Sequence, residues 1–412
     1  MLVASSVGAS ALVTLCSVTA TVLILRELPH AEAGRYAILV ELLYGIGLLG
    51  SLGQNVLHAR LYHQAASADA DWRADLRLTA AFTMPAVFLS VLAIARPYEL
   101  TIFEIVFLTV GAELFILTNW LSAVLSQQRS YAWGSALLRL PNGLLILPAV
   151  FMAVSHTGIG LDFFLISLLI FLAFAVVLGA VLLAGRLKQG GRRTTLRQRF
   201  SGLIFVIGTV ALLIPQRGLI MIAGAIIDPG QVAALAALIV LLRIFDLIGE
   251  PSGRVFATEV ARHPHRVGLG LIAAPWLLAG IISTVLIIAI PPLAHHFYSG
   301  RYDSALPMLP WLVAAAALRF VEVVPRGFLA YLAPAKMLNR FVAAQCTSAV
   351  IGIALMVKYT EKFGLPGAVW ITVLIAAASV TISYIFLGKV RRLLRKDAAS
   401  VGTGESLPVE SF

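Results

Sequence analysis

The chain has 412 residues, 60% apolar and 12% charged, where a soluble domain is about half apolar and a quarter charged. With a mean hydropathy of +0.94, that composition excludes a soluble enzyme, a disordered chain and a disulfide scaffold. The long unbroken apolar stretches also argue against a β-barrel, whose strands alternate apolar and polar residues. The net charge of +11 is read as Lys and Arg in cytoplasmic loops, not as a nucleic-acid surface.

A membrane helix needs roughly 17–25 mostly apolar residues. Twelve segments qualify: 8–25, 37–58, 78–95, 101–125, 136–155, 162–185, 200–224, 231–250, 269–290, 305–330, 341–357 and 366–387. The first carries Thr14, Ser17 and Thr19, so it is expected to face an interior cavity rather than lipid. The longest and most basic link, Gly185 to Arg199, follows the sixth segment. It divides the chain into a six-helix bundle over 1–190, a second over 191–390 and a cytoplasmic tail over 391–412. The expected fold is an all-α polytopic membrane protein, two six-helix bundles around a central cavity.

The loops orient the chain. One set of alternate loops holds Arg60, Arg73 and Arg77, then Arg129, the run from Arg186 to Arg199, Arg254, Arg262 and Arg266, Lys336 and Arg340, and Lys389 to Lys396. The other set holds only Arg26, Arg35, Arg96, Arg301, Lys358 and Lys362. The positive-inside rule then places both termini of this multi-pass protein in the cytoplasm. The start, MLVASSVGAS, lacks the basic n-region of a secretory signal.

Ionisable residues inside a membrane are costly and are functional candidates by default. Five cations fall within segments, Arg139, Arg217, Arg243, Arg319 and Arg326, and the carboxylates in or at the segments are Glu41, Glu104, Glu113, Asp162, Asp246, Glu250 and Glu322. In the tenth segment Arg319, Glu322 and Arg326 share one helical face. That face is either a lining that meets an anionic headgroup or a buried ion-pair ladder. In the eighth, Arg243, Asp246 and Glu250 repeat the pattern with the opposite net charge. They are either an ion-pair stripe or carboxylates that titrate and couple transport to protons. All five buried cations are Arg, whose planar fork suits phosphate. Asn119, Asn142 and Gln216 could bond sugars or only neighbouring helices. Cys16 and Cys346 lie in apolar segments and suggest neither a disulfide nor a metal site. No HExxH, Walker loop, GxSxG or CxxC occurs, so no cofactor or enzymatic chemistry is expected.

The halves carry a faint internal echo. ELPHAEAGRYAILVELL (27–43) aligns with IIDPGQVAALAALIVLL (226–242), each a short turn with Pro and a carboxylate leading into a helix. Parallel repeats of this kind belong to transporters whose two bundles rock about a central site.

Three stretches resemble the polysaccharide flippases of the multidrug/oligosaccharidyl-lipid/polysaccharide exporter superfamily. LRELPHAEAGRYAI…GLLGSLGQNVLHARLY (25–62) is similar to the family's opening signature at Arg26, Glu32, Gly34, Tyr36, Gly53 and Arg60. PQRGLIMIAGAIIDPGQVAALAALIVLLRIFDLI (215–248) resembles its seventh and eighth helices, with Arg217 where an acid often follows the Gln. FYSGRYDSALPMLPWLV (297–313) resembles the run after its ninth helix, and GLPGAVW (364–370) follows late in the chain. The resemblance implies a Wzx-type flippase that moves undecaprenyl-diphosphate-linked oligosaccharide by alternating access, for export or assembly of a surface polysaccharide such as O-antigen or exopolysaccharide. It implies membrane lipids, a polysaccharide polymerase and chain-length proteins as partners. The expected substrate-binding residues are Arg26, Arg60, Arg139, Arg217, Arg243, Arg319 and Arg326, with Asp246, Glu250 and Glu322 as ion-coupling candidates. The competing reading is an ion-coupled multidrug exporter of the same superfamily, for which an acidic, aromatic-lined pocket is expected. A polymerase or glycosyltransferase would need a large loop that this chain lacks.

Overall fold

The computed structural model describes residues 2–54, 71–128, 130–155, 158–185, 195, 199–200, 217–243, 245 and 269–401. Described residues fold into helices and turns, with no strand among them. In the first half these are α1 (Leu2–Glu27), α2 (His30–Gly50), α3 (Trp72–Ala95), α4 (Ile102–Gln127), α5 (Tyr131–Leu144), α6 (Ile146–Ser155) and α7 (Leu161–Ala184). The second half has α8 (Arg217–Ile226), α9 (Pro229–Leu241), α10 (Leu269–Tyr298), a 3-10 turn (Asp303–Met308) and α11 (Leu309–Leu332). A last continuous stretch runs from Ala335 to Val401.

A proline and a glycine shape these elements. The fifth expected span is broken at Leu145, because Pro148 cannot donate to the Leu144 carbonyl and its ring crowds it. An unbroken 67-residue helix would be about 100 Å long at 1.5 Å per residue. It is interrupted at Gly364, whose φ of 63° is open to glycine at little cost. The two pieces, α12 (335–363) and α13 (365–401), return antiparallel, with Gly352 against Ile375 and Gln345 bonded to Ser379 and Ser383. Eight helices among the described residues are long and apolar enough to cross a membrane, counting the α12–α13 stretch once. The seventh and eighth expected spans lie partly outside the described residues.

In the first bundle α1 packs on α5 and α6, and α4 is surrounded by α2, α3, α5 and α7. In the second, α11 packs on α10 and on the α12–α13 hairpin. The halves meet where α2 lies along α9 and α1 touches α9 and α10. These are the segments that carry the internal echo, and each begins at a proline, Pro29 before α2 and Pro229 at the start of α9.

The contact closes one face of the molecule, where α1 ends and α2 begins. A Cβ on Gly34 would overlap the Pro229 carbonyl, so the two backbones touch. Arg301 donates to the carbonyl of Arg26 at 2.7 Å and to His30 Nε2 at 3.0 Å. The Tyr302 hydroxyl reaches the Leu25 carbonyl at 2.7 Å. The end of α1 is thus capped by the opposite half, which satisfies carbonyls that a helix terminus leaves open. Tyr98 donates to the Met221 carbonyl at 2.5 Å. Burial pushes its phenol up to about 12, so it remains a donor at neutral pH. Arg35 ties the same face laterally, its fork on Glu104 at 2.6 and 2.7 Å.

Arg301→Ala removes the cap and is expected to loosen this face. With Cys16 and Cys346 replaced by Ala and a reporter Thr21→Cys in the space beneath, labelling by a membrane-impermeant thiol reagent should rise several-fold. An unchanged rate would mean that the latch does not hold the face closed.

Candidate functional site

Beneath the closed face α1, α2, α5, α8 and α9 surround a small polar cavity. Thr21 and Leu25 of α1, Tyr36, Glu41 and Tyr44 of α2, Asn142 of α5 and Arg243 line it. Its accessible space of about 30 Å³ takes on the order of two waters.

Glu41 is the hub. It is 8% exposed and lies eleven residues, about 17 Å, along α2 from its start, near the middle of a hydrocarbon core about 30 Å thick. Its carboxylate accepts from Arg217 Nη1 and stands 3.9 Å from Arg243 Nη2. Both arginines come from the second half, so the first half supplies the anion and the second the cations. The trio carries a net +1. The Arg217 guanidinium also lies 4.9 Å from the centre of the Tyr44 ring, a cation–π contact. The Tyr44 hydroxyl donates to Asn142 Oδ1 at 2.8 Å. One helical turn before Asn142, Arg139 donates to Thr14 Oγ1 at 2.7 Å. Of the polar residues expected to turn α1 toward a cavity, Thr14 meets Arg139, Ser17 is buried and Thr19 is exposed; the cavity is met by Thr21 instead.

Of the seven expected binding arginines, Arg217 and Arg243 converge on one carboxylate, with Arg139 on the flank. Arg243 does not sit within a long eighth helix: α9 ends at Leu241, and the chain tightens into i to i−3 bonds, Arg243 to Val240 and Phe245 to Leu242. Arg26 points away, half-exposed, 3.4 Å from Glu27. Arg60, Asp246 and Glu250 lie outside the described residues.

Glu322 and Arg326 belong to a separate cluster inside the second bundle. Glu322 is 3% exposed. Its Oε1 accepts from Arg326 Nε at 2.6 Å, Ser379 at 2.7 Å, Ser383 at 2.9 Å and Gln345 at 3.2 Å. So many donors on one oxygen hold the carboxyl group in place and pin α11 to the α12–α13 hairpin. Arg319 lies on the same helix two turns before Arg326.

The sequence reading counts Glu41 among the intramembrane carboxylates but gives it no role or partner, and it does not find a buried pair in the first bundle. Arg199, taken as a loop cation, is 1% exposed and donates to Asp75 Oδ1 at 3.0 Å and to Thr79 at 3.1 Å. The end of the basic link is anchored inside the first bundle. One resembling position has structural work: Glu32 accepts the Leu161 N–H at 3.0 Å, at the start of α7. Near the closed face His295 pairs with Asp303 at 2.7 Å.

Comparison with protein families and with curated proteins finds no match. Solved structures do match over nearly the whole chain. An inward-facing multidrug resistance MATE family transporter of the MOP superfamily is 12% identical with a TM-score of 0.64, over 92% of this chain and 96% of that one. The lipid II flippase MurJ, in an inward closed conformation, is 13% identical with a TM-score of 0.63, over 97% and 92%. An outward-facing MATE transporter is 12% identical with a TM-score of 0.63, over 96% of each chain. At these identities the likeness establishes the fold, the twelve-helix, two-bundle architecture of these transporters.

Proposed function

We propose that the chain is a flippase for a polyprenyl-diphosphate-linked oligosaccharide in a bacterial inner membrane, serving a surface polysaccharide, and that Arg217 and Arg243 bind the diphosphate. The carrying observation is their convergence on Glu41 across the boundary between halves. A diphosphate offers the same guanidinium groups more negative charge than one carboxylate, through oxygens that match their fork. Tyr44, Asn142 and Thr21 offer hydroxyl and amide groups for sugars. The bundles over 1–190 and 191–390 rock about this cavity, and the polyprenyl tail stays in lipid. With both termini cytoplasmic, the closed face is periplasmic and this conformation is the inward one. The fold shared with a lipid II flippase supports the reading, and a polymerase and chain-length proteins are the expected partners.

One observation favours the exporter reading: Glu41 lies between Tyr36 and Tyr44, an acid among aromatics that suits a cationic drug. Substitutions separate the two. In a strain lacking the gene, Arg217→Gln with Arg243→Gln, expressed at wild-type level, is expected to leave surface glycan absent and lipid-linked precursor accumulated, whereas Glu41→Gln restores glycan. Drug tolerance lost with Glu41→Gln and kept with the arginine pair changed would instead establish the exporter.

A further inference from the structure

The first bundle contains a second buried carboxylate that the cavity does not use. Glu113 of α4 is 8% exposed and about 16 Å along its helix from the start, at mid-membrane depth. Thr83 of α3 is its hydrogen-bonding partner, with the hydroxyl 3.0 and 3.1 Å from the two carboxylate oxygens. That hydroxyl also stands 2.9 Å from the Thr79 carbonyl. One turn further along the same two helices the buried side chains are apolar, Val87 on α3 and Ile116 on α4.

The charged and titratable groups on the neighbouring helices are engaged elsewhere. On α2, Glu41 is held by Arg217, and Tyr44 by Asn142. On α3, Asp75 is held by Arg199; on α5, Arg139 is bonded to Thr14; on α7, Asp162 sits in the first turn, at the helix end. On α4 itself, Glu104 is held by Arg35. Among the described residues none forms an ion pair with Glu113.

A hydroxyl has one proton to donate. If Glu113 were ionised, that proton would face three acceptors, the two carboxylate oxygens and the Thr79 carbonyl, and a buried charge would stand without a cation among the described residues, which costs several kcal/mol in such a setting. If Glu113 carries a proton, one carboxyl oxygen donates to Thr83 and Thr83 donates to the Thr79 carbonyl, so the group is neutral and two hydrogens serve these contacts instead of one. The approach is polar on one side only. Asp75, Thr79 and Thr83 follow at intervals of four on one face of α3, leading to the membrane face where that helix begins. Beyond Thr83 the same face continues as Val87 and Val91, both fully buried.

We propose that Glu113 is a proton-binding site of this protein, occupied in the present conformation, with Thr83 as acceptor of the acid's proton. Its use in driving transport rests on the reading above; the binding itself does not.

The test is infrared difference spectroscopy of the purified full chain in lipid at neutral pH. Wild type is expected to carry a protonated-carboxyl C=O absorption that Glu113→Gln lacks, since the amide is isosteric and can still donate to Thr83. Thr83→Val is expected to move that absorption to higher frequency, because the acid loses its acceptor. Superimposable spectra of wild type and Glu113→Gln would overturn the site, and an absorption unmoved by Thr83→Val would overturn the assignment of the acceptor. The spectrum needs no substrate. A chain that moves no lipid-linked sugar yet keeps the absorption retains the site and loses the flippase reading, and the reverse result does the opposite.

Discussion

Gly34→Ala is expected to hold the two halves apart at the face where they now touch. A methyl group at Gly34 falls on the Pro229 carbonyl, a backbone atom that cannot rotate away. Ordinary C···O contact is ~3.3 Å or more, so α2 and α9 must separate by more than about an ångström. Packed elements of this kind switch between discrete arrangements rather than deform continuously. The expected result is a population moved toward the state open at this face. With Thr21→Cys as reporter, labelling by an impermeant reagent should exceed that of the Arg301→Ala variant, because a clash cannot be relieved by a side-chain rotation. Wild-type labelling and wild-type function in Gly34→Ala would mean that this contact is incidental to the cycle.

Asp75→Ala is expected to cost more stability than any single change in the cavity. It leaves the guanidinium of Arg199, 1% exposed, without its carboxylate. Removing one member of a buried pair typically costs roughly 3–5 kcal/mol, whereas replacing both by apolar residues costs far less. Thermal unfolding in detergent, followed by fluorescence, should show a large fall in Tm for Asp75→Ala and substantial recovery when Arg199→Met is added. A double variant as unstable as the single one would assign the loss to packing of α3 instead.

Much of the architecture was legible because membrane helices are long apolar runs whose length is set by the bilayer. The fourth helix, expected at 101–125, runs from Ile102 to Gln127. Ends were less legible, because helices continue past the hydrocarbon with polar residues: α10 reaches Tyr298, and the last helix reaches Val401. The break at Leu145 had a signal in Pro148 that hydropathy alone does not weigh.

The site was legible only in part. Arg217 and Arg243 stood out as cations in apolar segments, but their meeting point did not. Glu41 is the one acid in the long apolar part of α2 beyond its first turns, and its partner Arg217 lies 176 residues further on. Nothing periodic connects them; only packing of α2 against α8 and α9 does. Arg199 was misread because a charge cluster in a link resembles a solvated topology signal, and one member of the cluster can still be drawn inside. Asp75, Thr79 and Thr83, spaced by four, were the available sign that α3 has a buried polar face.

Binding of an undecaprenyl-diphosphate-linked sugar to the purified protein, followed by native mass spectrometry, tests the central claim most directly. A hydrogen bond to a charged group contributes about 1.5–3 kcal/mol, and each 1.4 kcal/mol is about tenfold in affinity. Arg217→Gln and Arg243→Gln should therefore each weaken binding about tenfold or more, while Glu41→Gln, which frees both arginines, should retain or strengthen it. Equal affinity of wild type and the arginine variants, or loss of binding on Glu41→Gln alone, would contradict a cationic diphosphate site between the halves.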